Sequence, residues 1–217
     1  APDGRVSPYL PMLLARLAPR STRWWFVTQY APFTQGRRRV TESYLARHYY
    51  PAQEIVSQDT ARLILYAPLN APPDVIPPLP ANPVRFDFGA VTLVGYDLDR
   101  TDYQQGEFIP LSLLWNKPDW PTGMEPFDYS VNVALIAADG ADVAQRAGTP
   151  IGSFGLMSTW VSGGYYRDNQ ALAAEVPPGD YALWVSVYDW RDGHKLPVTG
   201  VGAAGDHVVL AQIHIAN

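Results

Sequence analysis

The sequence predicts an α+β chain in two parts: a small α/β layer over residues 1–67, then an antiparallel β-sandwich of immunoglobulin-like or jelly-roll kind over 84–217. Three observations carry this. Apolar residues recur at helical spacing in the first part, and every second residue is apolar in several runs of the last part. The join between them, "PLNAPPDVIPPLPANP" (Pro68–Pro83), holds 7 of the 21 prolines. Proline fixes φ and donates no backbone hydrogen bond, so residues 68–83 read as an extended, semi-rigid linker. At 217 residues, with 47% hydrophobic and 17% charged content, the chain can bury a core in each part and is not a disordered sequence.

In the first part, Ser7-Pro8 supply an N-cap and a first helical residue, and Leu10, Leu13, Leu14 and Leu17 follow at helical spacing. "RWWFVTQY" (Arg23–Tyr30) is dense in strand formers. Val40, Tyr44, Leu45 and His48 mark one face of a second helix that ends near Pro51, and "EIVSQ" and "ARLILYAP" read as two further strands. The order helix, strand, helix, strand, strand implies a crossover helix. No glycine-rich phosphate loop accompanies it, so a dinucleotide site is not expected.

Past the linker the period is two. Ile109, Leu111, Leu113 and Trp115 form one buried set; Tyr129, Val131, Val133 and Leu135 a second; Tyr181, Leu183, Val185 and Val187 a third; Val209, Ala211, Ile213 and Ile215 a fourth. Turn signals such as "PTGMEP", "ADGAD", "PPGD", "RDGH" and "AAGD" separate them. About eight strands without an intervening helix give the sandwich.

In "YALWVSVYDW" the inward set leaves Trp184, Ser186, Tyr188 and Trp190 on the opposite face. That aromatic row admits two readings: a platform for pyranose rings, or the surface on which the α/β layer docks. Trp160 reads as a core plug, and Trp120, in the loop "NKPDWPTG", is the tryptophan best disposed for ligand contact. The candidate carbohydrate-binding residues are therefore Trp120, Trp184, Tyr188 and Trp190. Arg37, Arg38 and Arg39 in "GRRRV" are candidates for phosphate or anionic-lipid contact, against the plain reading of a solvated first helical turn.

Other chemistry is weakly signalled. Asp97, Asp99 and Asp102 offer closely spaced oxygens but lack the glycine and glutamate of an EF-hand, and the histidines have no metal-ligand spacing. "GSFG" is not a nucleophile elbow, and nothing singles out an acid pair such as Glu107 with Asp128 for hydrolysis. With no cysteine, thiolate catalysis, disulfides and thiolate metal sites are excluded. No metal, no cofactor and no catalytic residue is expected. Charge is uneven: 9 Arg against 4 acids up to Pro68, then 7 Lys/Arg against 17 acids. The overall charge of -5 argues against nucleic acid as a partner. No apolar run reaches membrane-spanning length, and the chain opens on Ala without a signal-peptide pattern, as expected of a processed protein or an excised fragment.

Several short motifs follow one another in order: Gly95-Tyr96; Gly106-Glu107 through Trp115; Asp139-Gly140; Pro150; Thr159-Trp160; Asp168; and Pro178-Gly179 through Tyr188-Asp189. In this order they resemble the C-terminal soluble region of bacterial polytopic glycosyltransferases, the family 39-like relatives of protein mannosyltransferases that use polyprenyl-phosphate sugars. The resemblance implies a position on the extracytoplasmic face of the cytoplasmic membrane, with the transmembrane part of a parent protein as partner and glycan as a possible ligand. In that family the catalytic carboxylate lies on an early loop beside the first membrane helices, so the resemblance implies a non-catalytic accessory or acceptor-positioning role for this piece, soluble by itself. The alternatives are a purely structural or interaction module, and a carbohydrate-binding sandwich or hydrolase of a secreted protein.

Overall fold

The computed structural model describes residues 7–29, 40–57, 61–72, 80–120, 125–153 and 155–217. The first part comprises α1 (Tyr9–Leu17), β1 (Trp24–Gln29), α2 (Val40–His48), β2 (Tyr50–Ser57) and β3 (Ala61–Ala67). Its sheet has the order β1-β3-β2 with both pairings antiparallel, so β1 and β2 run parallel, bridged by the expected crossover through α2, and β3 returns between them. Leu14 of α1 and Leu45 of α2 pack with Tyr49, Ile64 and Tyr66 into one core.

Several details differ from the sequence reading, beginning with the cap of α1, which falls at Pro8 without a side-chain hydrogen bond from Ser7. Only the Leu10–Leu14 row of α1 packs inward, while Leu13 and Leu17 stay exposed. His48 is likewise exposed, stacked on Tyr44 with ring centroids 4.0 Å apart. Strand β2 also starts earlier than the apolar pattern suggested, at Tyr50. It tolerates Pro51 because it is a sheet edge, and a register shift between Pro51 and Gln53 absorbs the missing donor.

The second part consists of β4 (Asn82–Asp87), β5 (Thr92–Leu98), β6 (Asp102–Gln104), β7 (Phe108–Asn116), β8 (Ser130–Ile136), β9 (Asp142–Gly148), β10 (Tyr165–Ala173), β11 (Gly179–Tyr188), β12 (Ala203–Ala204) and β13 (His207–Ala216). A four-stranded sheet, β10-β7-β5-β4, faces a six-stranded one, β12-β13-β11-β8-β9, whose β13 also pairs with β6 in parallel. Between them lies one core holding Trp115, Leu113, Val133, Leu135, Leu183 and Val185. The chain is thus α+β with an antiparallel sandwich. The fourth predicted buried set is only half right: a register shift opposite Leu183 and Trp184 turns Val208 and Leu210 inward and leaves Val209 exposed, while Ile213 and Ile215 stay buried.

The α/β layer sits on the outer face of the four-stranded sheet. Tyr50, Leu65 and Ala67 pack with Phe108 and Ala171. At the centre of this joint the Asn169 side chain donates to the carbonyls of Ala46 (3.1 Å) and Arg47 (3.0 Å) at the end of α2, and accepts from Ser112 (2.6 Å). A helix end leaves its last carbonyls without intrahelical donors, and β10 supplies them. Docking therefore falls to β10 and β7, whereas Trp184 lies on β11 of the other sheet.

Candidate functional site

On the outer face of the six-stranded sheet two of the four aromatic candidates, Trp184 and Tyr188, lie next to a depression that neither of them lines. Trp184 stacks on His207 with centroids 3.6 Å apart and planes 13° from parallel. His207 Nδ1 lies 2.8 Å from Asp206 Oδ1, a bond that holds the Asp206 carboxyl below its usual range. Asp206 in turn lines a shallow depression of about 520 Å³ together with Gly193, His194, Lys195, Pro197 and Gly205. Tyr188 borders it through the backbone bridge between Tyr188 and Lys195. The sequence sets this up simply: strand alternation sends Trp184 outward, and the glycine-bearing turns at 191–193 and 200–206 bring their polar residues to the same end. Sequence alone does not bring His194, Lys195, Asp206 and His207 together, because their meeting depends on the pairing of β11 with β13 and on the Tyr188–Lys195 bridge.

Trp190 belongs to a neighbouring cluster. It is 60% exposed and lies parallel to Phe127 at 6.2 Å, with the Arg191 guanidinium 4.1 Å from the Phe127 ring centroid. Arg191 also binds Asp189 and lowers its carboxyl below the ordinary range. Trp120 stands elsewhere, past the end of β7, half-buried over the Lys117 ammonium at 3.6 Å. Lys117 is fully buried and donates to the carbonyls of Ala90 (3.1 Å) and Pro118 (2.9 Å); burial pushes its ammonium down. Trp120 thus covers a buried cation. Arg37, Arg38 and Arg39 lie outside the described residues. Trp160 is buried in the core against Tyr166, centroids 4.1 Å apart.

A second polar cluster lies where β2 meets the open edge of the sandwich between β9 and β10. A cleft of about 190 Å³ is lined there by Glu54, Gln145, Arg146, Asp168 and Gln170 among others. Asp168 is fully buried, accepting from the backbone N–H of Ile151 (2.7 Å) and from Gln170 Nε2 (2.6 Å). Desolvation outweighs these bonds and lifts its carboxyl to about 6. The same bond holds Ile151 at φ 56°, a left-handed conformation rare for a β-branched residue. Gly152, at φ 58°, follows, and a Cβ there would come within 2.8 Å of Ala46. Arg62, also buried, donates to Glu42 (2.6 Å) and through two nitrogens to Glu54. This cluster joins α2, β2, β3 and β10 and has the character of a structural joint.

The acids considered for metal or hydrolytic chemistry are also committed to structure. Asp97 accepts from Ala81 N–H and pairs with Arg167, Asp99 accepts from the Tyr103 hydroxyl, Glu107 pairs with Arg100, and Asp128 accepts from Ser158 N–H. Among the described residues no group of three or more His, Asp or Glu is placed to hold a metal ion. No helix of the described residues is long and apolar enough to cross a membrane.

No protein-family model matches the chain, and no curated protein matches it. Among solved structures it is similar to the C-terminal domain of Wzt, at 13% identity and a TM-score of 0.42, over 59% of this chain and 75% of that one.

Proposed function

We propose that the chain is a non-catalytic, extracytoplasmic accessory domain of a membrane glycosyltransferase of the protein-mannosyltransferase-like kind, and that its six-stranded sheet positions acceptor glycan. The reading is supported by one observation above the rest: the α/β layer packs on the opposite sheet and so does not cover the half-buried Trp184 and Tyr188, beside which Trp190 stands 60% exposed. A shallow depression carrying Asp206, Lys195 and His194 beside the Trp184–His207 stack offers hydrogen-bonding groups for sugar hydroxyls, and the exposed Trp190 nearby offers an apolar surface for a C–H face. Trp120 contributes nothing to that surface in this reading, being engaged with Lys117.

Calorimetric titration of the chain with a panel of mannose-, glucose- and galactose-containing oligosaccharides tests this. At least one glycan is expected to bind, with affinity reduced roughly tenfold in Lys195→Ala, an exposed position lining the depression, and less in Trp190→Ala beside it. A panel without a ligand removes the glycan role. The same face would serve a carbohydrate-binding module of a secreted protein; several membrane-length apolar runs encoded upstream of Ala1 distinguish the transferase parent from that host.

A further inference from the structure

The α/β layer carries a surface that neither the sandwich nor the proposed glycan face uses. On α1, Tyr9, Leu13 and Leu17 recur at i, i+4 and i+8 and therefore share one row; Met12 and Arg16 lie in the row beside it, and Arg20 follows in the 3-10 turn Ala18–Arg20 that continues the helix. All six are exposed, Tyr9 by 75% and Leu13 by 53%. Eight of the fourteen large hydrophobics exposed among the described residues lie before residue 72, including Trp25 and Val27 on β1. A helix that anchors itself through Leu10 and Leu14 alone and presents four large apolar side chains to solvent is unfinished as a water-facing surface.

Charge says what completes it. From Gly4 to Thr41 the sequence holds seven arginines and no Asp or Glu, within a chain whose net charge is -5. Arg16 and Arg20, next to the apolar row, have no ion-pair partner among the described residues. An apolar row flanked by arginines, free of acid, matches the boundary of an anionic bilayer: Leu, Met and Tyr enter the acyl boundary while guanidinium groups reach lipid phosphates. Nucleic acid would use the arginines but leave the apolar row wet. We infer that the exposed face of α1, with Tyr9, Met12, Leu13 and Leu17 inward and Arg16, together with Arg20 of the following turn, at headgroup level, docks on an anionic phospholipid surface. This goes beyond the glycan reading and stands on different residues.

The test is co-sedimentation of the chain with phosphatidylcholine vesicles containing about 30 mol% phosphatidylglycerol, in buffer without sugar. Binding is expected at ~0.1 M salt, falling steeply at ~1 M as charges are screened. Leu13→Glu combined with Leu17→Glu, and separately Arg16→Gln combined with Arg20→Gln, should each weaken it roughly tenfold or more while leaving the circular dichroism unchanged. Val201→Glu, at a 99% exposed position in the sandwich, should bind like the parent. Absence of binding overturns the inference, as does equal binding to pure phosphatidylcholine. A dimer abolished by the Leu13 and Leu17 changes would overturn it in favour of a second copy, and retention on duplex DNA without vesicle binding in favour of nucleic acid. None of these outcomes bears on glycan titration in solution, so the two proposals fail separately.

Discussion

Asp168 illustrates how a single buried group shapes this protein's response to acid. Its ordinary value of 3.8 is raised to about 6, because burial costs the charged form more than Gln170, Ile151 N–H and the nearby Arg146 return. The folded chain therefore binds this proton more tightly than the unfolded one. The contribution to stability is full below about pH 4 and is lost as pH rises through about 6, a span of about 3 kcal/mol. In Asp168→Asn that dependence should vanish: urea unfolding compared between pH 4.5 and pH 7.5 is expected to favour the variant progressively as pH rises, relative to the parent. A difference that does not change with pH would refute the assignment. Legibility at this scale was mixed. Asp168 stands out in the sequence only through its place in a motif series; the structure supplies the reason, since its carboxyl fixes the backbone one residue after Pro150, another member of that series. Gly95 is similar: a Cβ there would meet Pro80 at 2.2 Å, so Gly95 lets the end of the proline-rich linker lie against β5. By contrast, nothing in "NKPDWPTG" reveals that Lys117 folds beneath Trp120, because that placement depends on the Ala90 carbonyl 27 residues away.

Among the elements, β10 carries the greatest structural load, and it was the hardest to read. Its sequence, "YYRDNQALA", has no clean alternation because both faces are specialised. Asp168, Gln170 and Leu172 turn toward the sandwich interior and its open edge, while Asn169 and Ala171 face α2 and β2. Strand β9, "DVAQRAG", is an edge with little apolar content and gives equally little signal. Central strands β7, β8 and β11 are legible because the face of each that meets the other sheet is filled with large apolar residues, even though β7 and most of β8 are buried on both faces. On β13 that period breaks at the register shift, which sequence cannot locate. The role of β10 can be measured. Asn169→Ala removes the donors for Ala46 and Arg47 and leaves the Ser112 hydroxyl only the Tyr50 oxygen at 3.4 Å as acceptor, so a loss of about 2–3 kcal/mol in unfolding free energy is expected. Asn169→Asp should lose more, since it sets a negative charge against the negative end of the α2 dipole. Equal stability of the three proteins would show that the helix end finds other partners.

For the molecule as a whole, the division of labour follows the sheets. One outer face of the sandwich holds the α/β layer through Phe108, Ala171 and Asn169, and the other, free of that layer, carries the half-buried Trp–His stack. The composition change at the linker, basic before and acidic after, was visible from residue counts; which sheet the layer would cover was not, since that depends on the small and polar residues of β10 and β7 matching Tyr50 and the end of α2. Among the described residues β1 pairs only with β3, so the three-stranded sheet ends in "WWFVTQ", six residues without charge or proline. A strand of that composition with an unpaired side is a template for a neighbour's strand, and the concentrated protein should slowly form thioflavin-positive fibrils seeded there. Val27→Lys, at an exposed position, is expected to lengthen the lag several-fold without altering the melting temperature; an unchanged lag would acquit β1. Long storage, crystallisation trials and overexpression would all meet this same bare strand, and one lysine is the smallest remedy.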